Sequence, residues 1–124
     1  MKNLNINYLD HVALEVHDLK IAMEFYTEII GLTLMDTPES VKSKGVRWLR
    51  LNDRQALHLV ENKKVAPAQI AHIALNVEDV QAWKNHLEKS GVIFNSPKFS
   101  VYEAERFFIL DPSQNRIEFV KWLA

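Results

Sequence analysis

The chain alternates short apolar runs with amphipathic stretches, and it does so twice. Residues 8–16 read as a strand in which Leu9, His11, Ala13 and Glu15 share one face and Val12, Leu14 and Val16 the other. Asp18 follows as a helix N-cap. Leu19, Ala22, Met23, Tyr26 and Ile30 then recur at helical spacing, opposite Lys20, Glu24 and Glu28. This spacing predicts an amphipathic helix of about three turns, closed by Gly31 as a left-handed cap. Residues 32–35 read as a strand and residues 36–44, which include Pro38, as a mobile polar loop. Residues 46–51 and 55–61 read as strands joined by the turn Asn52-Asp53-Arg54.

About sixty residues on, the pattern restarts. Residues 70–77 form an apolar strand, Asp79 is placed as an N-cap, and Val80, Trp83 and Leu87 recur at helical spacing before Gly91. Short strands are predicted near residues 92–95, 99–102 and 106–110. Asp111-Pro112-Ser113-Gln114-Asn115 makes a tight turn into a last strand over residues 116–122. The expectation is an α+β fold of two tandem βαβββ modules, their curved mixed sheets surrounding a shared cleft. One domain spans residues 1–124, with modules at about 8–62 and 70–123 joined by the connector 62–69.

Composition narrows the function. The chain has 124 residues, enough for one unstapled core, and its net charge of -1 gives no electrostatic case for nucleic acid or a membrane surface. It has no cysteine, hence no thiolate nucleophile and no sulfur ligand. No run resembles a signal peptide or a membrane span, so a cytoplasmic protein acting on a small molecule is expected.

Candidate chemistry lies on the strands. His11 and His72 both stand third in their apolar runs, in strands read as buried on both faces, where an imidazole has no evident structural use. His58 repeats the oddity on residues 55–61, and superposing the last strand on that one puts Glu118 at the place of His58. Taken singly, a buried histidine is most often a hydrogen-bonded core group. Four such residues at repeat-matched positions point instead to one place and to a divalent metal. Nitrogen and oxygen donors without sulfur suit Zn, Ni, Fe, Co or Mn. His17 and His86 read as surface, and Glu15 lies about 13 Å along its strand from His11, too far to join. Trp48 with Arg50, and Arg106 with Phe108, share faces near the ligand-bearing strands and are candidate substrate contacts. Tyr102, Glu103 and Glu105 fall on a segment read as a lid.

The stretches LDHVALEVHDLKIAMEFYTEIIGLTL, AHIALNV and FFILDPSQNRIEFV resemble the vicinal oxygen chelate superfamily of glyoxalase I, bleomycin-resistance proteins and extradiol dioxygenases. The resemblance covers residues 9–122 and implies paired βαβββ modules around a metal, with His11, His58, His72 and Glu118 at the ligand positions. It also implies a homodimer, with modules pairing within or across chains. The activity implied first is a metal-dependent lyase or isomerase, similar to lactoylglutathione lyase, that stabilises an enolate or oxyanion. An extradiol-type dioxygenase, a fosfomycin-type thiol transferase and a non-catalytic binding protein stay open. Two departures stand out. The turn at residues 111–115 lacks the family's glycine, so a non-glycine residue there has to tolerate positive φ. His58 replaces the glutamate of bacterial-type glyoxalase I, leaving Glu118 as the single anionic ligand and catalytic carboxylate. For His58 the roles of base, fourth ligand or neither are open.

Overall fold

A computed structural model of the chain describes residues 4–97, 101 and 103–123. Its backbone contacts divide the chain into two compact units, residues 1–65 and 66–124. Each carries a four-stranded mixed sheet with helix on one face, so the chain has the tandem βαβββ, α+β fold.

In the first unit β1 (His11–Val16) runs into α1 (Leu19–Glu24), followed by β2 (Thr33–Leu34), a short helix α2 (Glu39–Lys42), β3 (Val46–Arg50) and β4 (Ala56–Glu61). The sheet order is β1-β4-β3-β2, with β1 parallel to β4 and the other pairs antiparallel. Leu57 and Leu59 of β4 face α1 and are fully buried with Val16, Tyr26 and Leu49. The second unit repeats the plan with β5 (His72–Asn76), α3 (Val80–Lys89), β6 (Phe94–Asn95), β7 (Ala104–Leu110) and β8 (Arg116–Trp122), in the order β5-β8-β7-β6. Its core stacks Phe107 on Phe119, ring centroids 5.0 Å apart, with Trp83 of α3 against Phe119.

Capping explains where the helices begin and end. The Asp18 carboxylate accepts from the Ile21 amide at 3.1 Å, and that of Asp79 from the Ala82 amide at 2.9 Å. Gly31 and Gly91 take φ of 89° and 78°, the left-handed terminus that only glycine adopts without strain.

Four expectations are corrected. β1 and β5 are not buried on both faces: His11, Ala13 and Glu15, and likewise His72, Ala74 and Asn76, are exposed. Both strands are sheet edges, and only the side holding Val12, Leu14 and Val16, or Ile73 and Leu75, turns inward. The first helix does not continue regularly to Ile30. Residues Phe25–Ile29 widen into a π turn, with the Ile30 amide donating to the Phe25 carbonyl at 3.1 Å. The Thr27 hydroxyl donates to the Met23 carbonyl at 2.7 Å, a back-bond that loosens the ladder, and the wider turn buries Phe25 and Tyr26 side by side. Residues 36–44 are not a loop throughout, since Pro38 starts α2 and its carbonyl accepts from Lys42 at 2.9 Å. Glu105 belongs to β7 and not to a lid. Much of the strand expected over 99–102 lies outside the described residues, as does Tyr102. No helix among the described residues is long and apolar enough to cross a membrane.

Candidate metal and substrate site

Strand register brings the singled-out residues together in pairs. In the first unit Ala13 lies opposite His58, and His11, two residues earlier, shares that open face. The two imidazoles stack with centroids 4.0 Å apart and planes 16° from parallel. Trp48 lies opposite His58 on β3 and stacks on it, at 4.5 Å and 8°. His58 is therefore in ring contact with both Trp48 and His11. Burial first, then the neighbouring imidazole of His11, holds its pKa below the ordinary value of 6.5, with Asp10 opposing.

Asp10 does more than supply charge. Its Oδ2 lies 2.8 Å from His11 Nδ1, and an ionised carboxylate only accepts, so Nδ1 carries the proton. The other ring nitrogen, Nε2, is thereby left with its lone pair outward when the ring is neutral.

The second unit repeats the arrangement. Ala74 lies opposite Glu118, and His72 occupies the place that His11 has on β1. His72 Nδ1 lies 2.9 Å from the Ile70 carbonyl oxygen, an obligate acceptor, so this nitrogen too is protonated. Its Nε2 stands 3.1 Å from Oε1 of Glu118, a carboxylate only 6% exposed. A lone pair facing a carboxylate oxygen at that distance is repulsive. A proton shared by the two atoms, as in an ordinary hydrogen-bonded His–Glu pair, relieves this, and so would a metal that both side chains held. Among the described residues, no group of three or more His, Asp or Glu is gathered as for a metal ion. Each unit brings two together.

The expected substrate residues sit beside these pairs. Phe108, opposite Glu118 on β7, takes the place that Trp48 has on β3 and meets His72 edge-on at 5.2 Å. Arg106 donates from Nη1 to Oε1 of Glu118 at 3.2 Å. Arg50 ends β3, half-buried, opposite Ala56 and on the face of Trp48. Of the histidines read as surface, His86 is exposed beside Trp83. His17 is not: half-buried, it donates from Nε2 to the Val65 carbonyl at 2.8 Å and ties down the connector.

Sequence reasoning missed two residues of this surroundings. Asp10 precedes His11 directly, and that adjacency was its only signal. Arg116 stands two residues before Glu118 and so on the same face of β8, with its guanidinium carbon 5.7 Å from the centre of the Phe108 ring.

Fold and paired side chains define a class of small two-module domain that presents His and carboxylate groups from matched strands. The chain belongs to the Glyoxalase/Bleomycin resistance protein/Dioxygenase superfamily, whose family model matches residues 8–119. It is 31% identical to a glyoxalase family protein from Bacillus anthracis, whose crystal structure superposes with a TM-score of 0.88 over 98% of this chain and 99% of the other. It is 29% identical to the glutathione transferase FosA of Serratia marcescens, covering 89% of this chain and 77% of that one. A trivalent organoarsenical cleaving enzyme of Bacillus sp. strain MD1 is 28% identical, over 88% and 70% of the two chains.

Proposed function

We propose that the protein is a divalent-metal-dependent enzyme that chelates two neighbouring oxygens of a small substrate and stabilises an enolate or oxyanion, in lyase or isomerase chemistry. The observation that supports this reading is the contact of His72 Nε2 with Glu118 Oε1 at 3.1 Å, which brings the two expected ligands of the second unit together. The donor set His11, His58, His72 and Glu118 suits Zn, Ni, Fe, Co or Mn. Bound there, the metal would supply Lewis-acid stabilisation of negative charge on substrate oxygen. The chain's own residues do the rest. Asp10 and the Ile70 carbonyl fix the two histidine tautomers, and Glu118 is the carboxylate positioned to move a proton. The imidazole of His58, neutral at lower pH than an ordinary histidine, would serve as the fourth ligand or, left unligated, as a second base. Trp48 and Phe108 wall the substrate, while Arg50 and Arg106 meet its polar end.

Each unit contributes one pair of the proposed donors, His11 with His58 and His72 with Glu118. Elemental analysis and calorimetric metal titration, with His72→Ala and His11→Ala alongside, test the reading. Expected is one metal per pair of modules in the native protein, with affinity lost by at least about a hundredfold in either variant. Metal uptake unchanged by both substitutions would overturn it.

A second reading, thiol transfer, is favoured by the similarity to the glutathione transferase FosA. Glutathione consumption in the presence of fosfomycin and added Mn would separate it from isomerisation.

A further inference from the structure

The second unit carries more positive charge around Glu118 than that carboxylate balances. Arg106 on β7 and Arg116 on β8 lie on the face that holds Glu118, and register sets them on either side of the Phe108–Glu118 pair. Arg106 stands opposite Val120, and Arg116 opposite Leu110. Each guanidinium carbon is 5.7 Å from the centre of the same Phe108 ring. Both are thus held by one aromatic platform.

Their partners differ. Arg106 shares the Oε1 atom of Glu118 with His72. Arg116 has no carboxylate within ion-pair distance among the described residues, and its Nε is a buried N–H without a hydrogen-bond partner. A buried donor on a charged group is costly to leave unpaired, so this N–H calls for a partner that the described residues do not supply. The alternating sequence Arg116-Ile117-Glu118 would allow an apolar residue at 116 with no change to the strand, as Ala56 occupies the matching place on β4.

We infer that Arg116, with Arg106, forms an anion-binding subsite that selects substrates carrying a phosphate-like or carboxylate oxyanion. This rests on reading the His72–Glu118 pair as part of a substrate site and names the substrate class that site accepts. A guanidinium offers parallel N–H donors whose spacing matches two oxygens of such a group. Held beside Phe108, the fork keeps few rotamers and loses little entropy on binding. The anion would thus be anchored on β7 and β8 while the rest of the substrate extends over Phe108 towards His72.

The test uses inorganic phosphate and the full chain stripped of metal with a chelator, so its outcome does not depend on the metal reading. In two-dimensional NMR of the wild-type protein, phosphate is expected to shift the amides of residues 106–108 and 116–118 and the Arg116 Nε–H signal. Calorimetry should show Arg116→Gln weakening phosphate by about tenfold or more, and Arg116→Lys by less, because it keeps the charge but loses the fork. Lys20→Gln, on the exposed side of α1, should leave binding unchanged. Shifts confined to other residues, or phosphate affinity equal in wild type and Arg116→Gln, would overturn the subsite. A chain that binds phosphate through Arg116 but takes up no metal leaves the subsite standing and removes the metal enzyme. Metal uptake without phosphate shifts does the reverse.

Discussion

His58 lies opposite Ala13 on β1 as Glu118 lies opposite Ala74 on β5, so imidazole and carboxylate occupy one position in two copies of the same sheet. The positions match, but their surroundings do not. His58 is sandwiched by rings, whereas Glu118 is held by Arg106 and His72. A divalent ion held by the proposed ligands would meet one anionic donor and would keep excess positive charge. His58→Glu would neutralise that excess and is expected to tighten divalent-metal binding by about tenfold, or ~1.4 kcal/mol. It would also weaken Lewis acidity, so turnover should fall as affinity rises. Calorimetric titration beside a turnover assay reads both. An affinity that falls or stays level in His58→Glu would argue that position 58 is no ligand.

Asp10 accepts from His11 Nδ1 and so fixes which nitrogen of that ring carries the proton. Asp10→Asn keeps the size but weakens the charge-assisted contact now at 2.8 Å. Removing such an orienting carboxylate typically lowers metal affinity by about 10- to 100-fold. The same loss is expected here, with thermal stability of the metal-free chain little changed because Asp10 is exposed. Equal metal affinity in variant and wild type would show that His11 is oriented without it.

The depressed pKa of His58 makes folding pH-dependent. Below its ordinary value of 6.5, the unfolded chain takes up a proton at this position before the folded chain does. Stability is therefore full above that pH and declines as pH falls from 6.5 towards the lower folded value. Denaturant midpoints of metal-free protein at about pH 7.5 and about pH 5.5 are expected to drop less in His58→Gln than in wild type. Identical drops in the two proteins would remove His58 as the titrating group.

What was legible beforehand follows the range of the forces involved. Local signals served well. The caps Asp18 and Asp79, the terminal glycines and the last strand, Arg116–Trp122, stand where alternation and capping rules place them. The π turn was hidden because a 3.6-residue periodicity cannot register one extra residue per turn. β1 and β5 read as buried because apolar composition does not say whether a strand is central or at an edge. Trp48, Arg106 and Phe108 were legible near His58 and Glu118 because alternation alone assigns them a face. The stacking of Trp48 on His58, and of Arg116 at Phe108, depends on cross-strand register, which only the paired sheet supplies.

The turn between β7 and β8 tests that local reading most directly. Its missing glycine predicts positive φ at another residue, and Gln114 adopts φ 66°. The buried Asp111 makes this turn. Its Oδ1 accepts from the amides of Ser113 and Asn115, both at 2.8 Å, and its backbone carbonyl from Gln114 at 2.9 Å. None of these bonds uses the Gln114 side chain, which is exposed. A left-handed conformation costs a non-glycine residue about 1–2 kcal/mol, while glycine adds about 0.5–1 kcal/mol of unfolded-chain entropy. Gln114→Gly is therefore expected to stabilise the chain by about 0.5 kcal/mol, and the β-branched Gln114→Val to destabilise it by more than ~1 kcal/mol. Urea unfolding of the three proteins checks the order. A Gln114→Gly midpoint below wild type would mean that the Asp111 network, and not relief at position 114, sets the stability of this turn.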